Sequence, residues 1–158
     1  MTRIGLGYDS HRFDPSRPLI LGGVRVSDTA GLAGHSDADV VLHAITDALL
    51  GAAGMDDIGE LFPDTDPTLK NADSAMLLTE VLRRIGEKGF RPANCDVTIL
   101  AERPKLSPHK PAMRQNIARL LGLPADGVAV KAKTNEGMGA IGRAEGMAAM
   151  AVVLLQSR

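Results

Sequence analysis

The chain has 158 residues, enough for one domain with a proper core, and its formal net charge of −1 offers no general electrostatic reason to bind nucleic acid or an anionic membrane. Hydrophobic residues make up 44% but aromatics only 3%, so the core has to be built from Ala, Leu, Val, Ile and Met. Cys95 stands alone, which excludes an internal disulfide and a cysteine-type zinc cluster, and with no membrane-length apolar run and no signal pattern a cytoplasmic location is expected.

Arg3 to Phe13 reads as a strand whose two glycines permit close backbone approach. It carries Asp9-Ser10-His11, and because residues i and i+2 of a strand share a face, the carboxylate and the imidazole point together. Leu19 to Val26, after the Pro15–Pro18 turn, reads as a second strand and as the hairpin partner of the first. A polar connection from Ser27 to Gly34 leads into a helix over 36–50, with Ser36 or Asp37 as its cap. Val41, Ala44, Ile45, Ala48, Leu49 and Ala52 recur at helical spacing as a core stripe, while Asp39, His43 and Asp47 form a polar line at steps of four. The helix ends near Gly51–Gly54.

Residues 56–67 are acidic and lack periodicity, as functional or disordered connections do, but Ile58, Leu61 and Phe62 argue that the segment packs down in places. Asp73 or Ser74 then caps a second amphipathic helix through Lys88, with Leu77, Leu78, Val81, Leu82 and Ile85 inward and Gly89 just past its end. Asp96 to Ala101 is a β-branched strand, with Cys95 at its start as a small core residue. A proline-braced basic loop, Glu102 to His109, precedes a third helix over Pro111–Leu121 and a strand over Val128–Lys133, a strand–helix–strand unit. A glycine-rich loop, Thr134 to Glu145, leads to the last strand, Gly146 to Leu155. That strand has no charged member and no polar alternation, so burial on both faces is expected, with another subunit a candidate for covering one of them. The predicted architecture is a single α+β domain spanning residues 1–158, a mixed β-sheet with three main helices packed on one side.

Two imidazoles and a carboxylate, His11, His43 and Asp9, make a common three-residue ligand set for a catalytic zinc with an open fourth position. On spacing alone the signal is modest, since a lone Asp-x-His on a strand is more often structural. Asp47, one turn beyond His43, is a candidate to hydrogen-bond a ligand, or belongs to a solvated helix face. Gly34-His35-Ser36 sits at a helix N-terminus, where N–H groups and the dipole favour an anion. Lys131, Lys133, Thr134 and Arg143 surround the late loop, although the lysines also suit a wet strand face and Arg143 also suits a pair with Glu145. The block from Ala101 to Ser107 offers free backbone N–H groups of the sort that read a nucleobase edge. Glu136 suits either an Mg²⁺ ion held through a ligand diphosphate or a turn cap. Together these features suggest a metal-assisted phosphate reaction.

Asp9-Ser10-His11, Gly34-His35-Ser36-Asp37-x-Asp39, His43, Asp57-Ile58-Gly59, Phe62-Pro63-Asp64-Thr65-Asp66, Arg103-Pro104-Lys105 and Lys133-Thr134-Asn135-Glu136 occur in the order found in the 2-C-methyl-D-erythritol 2,4-cyclodiphosphate synthase family, which the chain resembles along essentially its whole length. The resemblance implies a lyase of the non-mevalonate isoprenoid pathway that turns 4-diphosphocytidyl-2-C-methyl-D-erythritol 2-phosphate into the cyclic diphosphate and CMP. It implies Asp9, His11 and His43 as zinc ligands, and Asp9, Ser10, His11, His35 and Ser36 as contacts to substrate phosphates and erythritol. Asp57, Ile58, Gly59, Phe62, Pro63, Asp64, Thr65 and Asp66 correspond to erythritol-binding loops, and Ala101, Glu102, Arg103, Pro104, Lys105, Leu106 and Ser107 to the cytidine-phosphate pocket. His35 and Thr134 match transition-state stabilisers. Lys133, Thr134, Asn135 and Glu136 match a further substrate loop, with Glu136 the contact to a second divalent ion, Mg²⁺ or Mn²⁺. Ala140 and Arg143 match two more substrate positions; many members carry an aromatic residue where Ala140 stands. Members are homotrimers with active sites between subunits and sheets toward the threefold axis.

Two rivals share the same residues. One is a zinc-dependent phosphohydrolase of a nucleotide diphosphate, in which zinc-bound water attacks. The other is a non-catalytic oligomer whose zinc is structural, a case that calls for a fourth protein ligand.

Overall fold

The computed structural model describes every residue, Met1–Arg158. A five-stranded mixed sheet is built from β1 (Thr2–Asp14), β4 (Gly31–Leu32), β5 (Phe90–Leu100), β6 (Val128–Lys133) and β7 (Gly146–Ser157), in the order β4-β1-β7-β5-β6. The last strand lies at its centre. β7 pairs antiparallel with β1 from Gly146↔Arg12 to Gln156↔Thr2 and antiparallel with β5 on its other edge, so it has no solvent edge that needs charge. β5 and β6 are parallel and joined through a helix, as the strand–helix–strand pattern predicts.

Three helices, α1 (Val40–Ala52), α3 (Ser74–Glu87) and α4 (Lys110–Leu121), cover one face, packing against β1 and β7, β5, and β6 respectively. The residues that meet them alternate along the strands: Cys95, Val97 and Ile99 of β5 and Met147, Ala149, Ala151, Val153 and Leu155 of β7 are buried. Cys95 lies inside its strand rather than at its start, and burial pushes its thiol up to about 12, which leaves it inert. Glycine at positions 5 and 7 sets how closely α1 lies. A Cβ on Gly5 would stand 1.9 Å from the Ala48 carbonyl oxygen, and one on Gly7 1.9 Å from that of Ala44, so the helix backbone rests directly on the strand.

The other face departs from expectation. The last strand is not buried on both sides within one chain: Met150 and Val152 are 39% exposed, beside Ile4 at 70%, Leu6 at 67% and Tyr8 at 56%. These are the alternate residues of β1 and β7, and with all three helices on the opposite side nothing in the chain covers them. The second strand also departs. Residues 19–26 fold back on themselves as β2 (Leu19–Leu21) and β3 (Val24–Ser27) around Gly22 and Gly23, both at positive φ, a two-residue turn that splits the predicted strand. The partner of β1 at that edge is the two-residue β4 instead.

The acidic connection carries a one-turn helix, α2 (Ile58–Leu61), and the glycine-rich late loop another, α5 (Gly139–Gly142). No helix is long and apolar enough to cross a membrane.

Candidate metal centre and active site

The central helix begins later than its sequence suggests. Asp39, not Ser36 or Asp37, is the N-cap: its side chain accepts from Leu42 N at 3.0 Å, and the same carboxylate accepts from Gly22 N at 2.9 Å and Gly23 N at 2.7 Å. Asp39 is therefore fully buried and leaves the polar line in which it was placed. Burial pushes its pKa up, against the three N–H donors that favour the ionised form. The clamp ties the β2–β3 turn to the first turn of α1, one turn ahead of His43.

His43 projects toward β1, where Asp9 and His11 share the helix-facing side of the strand. Asp9 Oδ2 lies 2.9 Å from His11 Nε2 and 3.1 Å from His43 Nδ1, and the three candidate ligand atoms fall within 4.8 Å of one another. The two rings sit 5.6 Å apart. His11 Nδ1 donates to the Ala33 carbonyl at 2.7 Å, so neutral His11 turns an Nε2 lone pair toward a carboxylate oxygen. Two acceptors facing each other are satisfied by a proton or by a cation, so this donor set fits a divalent ion. Without an ion, the electrostatics favour positive charge beside the Asp9 carboxylate. Burial raises the Asp9 pKa, but the hydrogen bonds and charges of His11 and His43 outweigh it and hold the carboxyl at about 2. Burial lowers that of His11, and Asp9 overrides it to a net increase. No other group of three or more His, Cys, Asp or Glu side chains converges in this way, and no fourth such ligand joins these.

Around this centre lies a cleft of about 270 Å³ lined by His11, His35, Ser36, His43, Ile58 and Phe62, together with Gly34, Gly59 and Asp64. His35 Nε2 donates to the Asp66 carbonyl at 2.9 Å, which holds the segment from Pro63 to Asp66 beside the cleft and leaves Nδ1 for another partner. Asp57 caps α2 through Glu60 N at 3.0 Å, and Asp66 accepts from Thr68, so both spend an oxygen on local structure. Pro63 and Thr65 belong to the same loop but do not line the cleft. Ser10 alternates to the opposite sheet face, apart from its neighbours Asp9 and His11. Asp47, a candidate partner of His43, accepts from Ile58 N at 2.8 Å instead, and so anchors the cleft wall.

A second cleft of about 220 Å³ gathers Ala101, Glu102, Pro104, Lys105, Leu106 and Ser107 with Lys133 and Thr134. It shares no lining residue with the first. Arg103 turns away to stack over Phe13 at 4.8 Å, and the Leu106 side chain is in the core. Glu102 Oε1 accepts from Asn135 N at 2.8 Å and Gly137 N at 3.2 Å, which ties this loop to the late one. Glu136, at positive φ, is exposed and its carboxylate makes no hydrogen bond within the chain. Arg143 pairs with Glu145, the plainer of its two readings, and Lys131, exposed on its strand, pairs with Asp96; Ala140 lines a separate hollow with Ser10 and Ile141.

Three residues outside the predicted site residues support the site. Ser74 is 1% exposed and its hydroxyl lies 2.8 Å from His43 Nε2. Asp37 accepts from that hydroxyl and from Ser74 N at 3.1 Å. Arg17 donates to the carbonyls of Gly34 and Ser36, bracing the turn that carries His35. In the sequence Ser74 and Asp37 read as candidate helix caps, and nothing singles out Arg17.

Comparison with known proteins places this geometry. A 2-C-methyl-D-erythritol 2,4-cyclodiphosphate synthase of Salinibacter ruber is 59% identical over 155 residues, 98% of this chain and 99% of that protein. Among solved structures, the bifunctional IspDF of Campylobacter jejuni matches all of this chain with a TM-score of 0.96 at 47% identity. The chain spans 43% of that larger protein's length. IspF of Plasmodium falciparum, solved as a CDP complex, matches 99% of this chain and 97% of its own with a TM-score of 0.86 at 34% identity. The YgbB family model matches residues 2–156. With this match across nearly its whole length and close relatives that are cyclodiphosphate synthases, the chain belongs to the YgbB family.

Proposed function

We propose that the chain is a cyclodiphosphate synthase, converting 4-diphosphocytidyl-2-C-methyl-D-erythritol 2-phosphate into 2-C-methyl-D-erythritol 2,4-cyclodiphosphate and CMP in non-mevalonate isoprenoid biosynthesis. The observation that carries this function is the convergence of Asp9, His11 and His43 on one face of a cleft whose other walls are His35, Ser36 and the 58–64 segment, in a chain whose relatives are synthases of that name. The phosphohydrolase alternative is dropped on the same ground. A structural zinc would want a fourth ligand, and only three side chains converge.

In this reaction an oxygen of the 2-phosphate bonds to the β-phosphorus and the bond from that phosphorus to the CMP oxygen breaks. Both partners are anionic, so the work of the protein is to fold the substrate back and to neutralise charge. Asp9, His11 and His43 would hold a Zn²⁺ ion and Glu136 a Mg²⁺ or Mn²⁺ ion, and such ions polarise phosphoryl oxygens and offset their charge. His35 stands beside the cation ligands with Nε2–H given to the Asp66 carbonyl and Nδ1 uncommitted, so as an imidazolium it donates from Nδ1 to a phosphorus-bound oxygen, and the Thr134 hydroxyl donates to another as charge develops. Ser36, Asp57, Ile58, Gly59 and the loop from Phe62 to Asp66 orient the erythritol. The block from Ala101 to Ser107, with Lys133 and Asn135, receives the cytidine phosphate.

Because the two clefts share no residue, we assign the metal cleft of one subunit and the cytidine cleft of its neighbour to one active site in a homotrimer. The exposed apolar face of β1 and β7 supports this, as the surface turned toward the threefold axis. The enzyme acts in the cytoplasm. The test is phosphorus NMR of the product: a cyclic diphosphate with CMP released is expected, and a linear monophosphate product would refute the function.

A further inference from the structure

We propose that Ser74 is a positioning residue for His43, acting with Asp37 to fix which imidazole nitrogen faces the cation. The inference rests on Asp9, His11 and His43 being cation ligands, as proposed above. Ser74 is the first residue of α3 and 1% exposed, and its hydroxyl is within reach of two groups only: His43 Nε2 at 2.8 Å and the Asp37 carboxylate. A carboxylate accepts and does not donate, so the single hydroxyl proton goes to Asp37. Ser74 Oγ is then an acceptor toward the ring, and His43 carries its proton on Nε2. That leaves Nδ1, the nitrogen 3.1 Å from Asp9 Oδ2, with a lone pair directed at the ligand cluster.

Asp37 is held for this task. It also accepts from Ser74 N at 3.1 Å and from Asp39 N at 3.1 Å, so the carboxylate joins the start of α3 to the turn that precedes α1. Backbone bonds lace the same two segments, Asp37 N to Ala72 O at 3.0 Å and Asn71 N to His35 O at 2.7 Å. Ser36 Oγ is a longer contact of the same ring nitrogen, at 3.2 Å, and it also takes the Ala38 N–H. The serine that opens α3 therefore carries orientation from one helix to a ligand on another.

The test titrates Zn²⁺ alone into metal-free protein against a chelating dye. Ser74→Ala is expected to weaken Zn²⁺ binding by about 10- to 100-fold, the usual effect of losing a partner of a ligand histidine, and to shift the visible spectrum of the Co²⁺-loaded protein. The near-isosteric Asp37→Asn sets an amide N–H against either the Ser74 hydroxyl or its N–H and is expected to weaken binding in the same direction. Asp73→Ala is the control, because it removes the actual cap of α3, whose carboxylate takes Ala75 N at 2.8 Å, without touching His43. Wild-type affinity in both Ser74→Ala and Asp37→Asn would overturn the proposal, as would an equal loss in Asp73→Ala, which would mean that the helix end matters only as structure. Retention of Zn²⁺ at wild-type affinity in His43→Ala would instead overturn the ligand assignment itself, and the role of Ser74 with it.

Discussion

Replacing Asp39 by Ala tests whether one buried carboxylate holds the hairpin, the central helix and His43 in register. The side chain is fully buried and accepts three backbone N–H bonds, from Gly22, Gly23 and Leu42 at 2.7–3.0 Å. The Gly22 and Leu42 donors are buried, and each would be left unpaired at about 1–3 kcal/mol, roughly 2–6 kcal/mol together. Gly23 N is only partly buried and can turn to water at little cost. Removing the acid also relieves the burial that pushes its pKa up, which brings the net loss to about 3 kcal/mol. Asp39→Asn keeps one acceptor oxygen and should fall between Ala and wild type. Urea unfolding at a fixed protein concentration, needed because the proposed trimer would add to apparent stability, measures the order. A loss below about 0.5 kcal/mol for Asp39→Ala would show that water replaces the carboxylate and that the clamp is not structural.

Three other outcomes are expected. Gly7→Ala would force a Cβ to within 1.9 Å of the Ala44 carbonyl and lift α1 from β1, a loss of about 3 kcal/mol in the same assay; a variant as stable as wild type would contradict the direct backbone contact. In metal-free protein Asp9, lowered from 3.8 to about 2, contributes about 2 kcal/mol above pH 3.8 that is lost as pH falls through 2. His11, raised above 6.5, contributes below that pH and loses its share as pH rises through its folded-state value. Stability measured across pH should therefore be highest between these limits and its acid limb should flatten in Asp9→Asn; an unchanged limb would sever Asp9 from the pair. Leu6→Arg, on the exposed apolar face, should convert the proposed trimer to monomers in light scattering, and a trimer left intact by the change would move the interface elsewhere.

Local periodicity made much of the fold and two of the three candidate ligands of the metal centre legible. Asp9 and His11 are two apart on a strand, so their shared face follows from the pleat alone, and the apolar stripes of α1, α3 and α4 follow from the helical repeat in the same way. The glycines of β1 announced a close approach; the uncharged last strand announced burial on both faces, whereas in the single chain it is central in the sheet with one face open. Tertiary structure decided whatever depended on the meeting of distant segments. Asp39 looks like one member of a polar helix face until the β2–β3 turn brings two N–H groups to it. Ser74 looks like a cap until α3 is laid beside α1, 31 residues away in sequence, and its hydroxyl meets His43. Asp47, with equal claim by spacing, is taken by the Ile58 N–H. Periodicity states which residues share a face of one element; which hydrogen-bond partner waits opposite that face is set by packing, and a buried polar group takes its role from that partner.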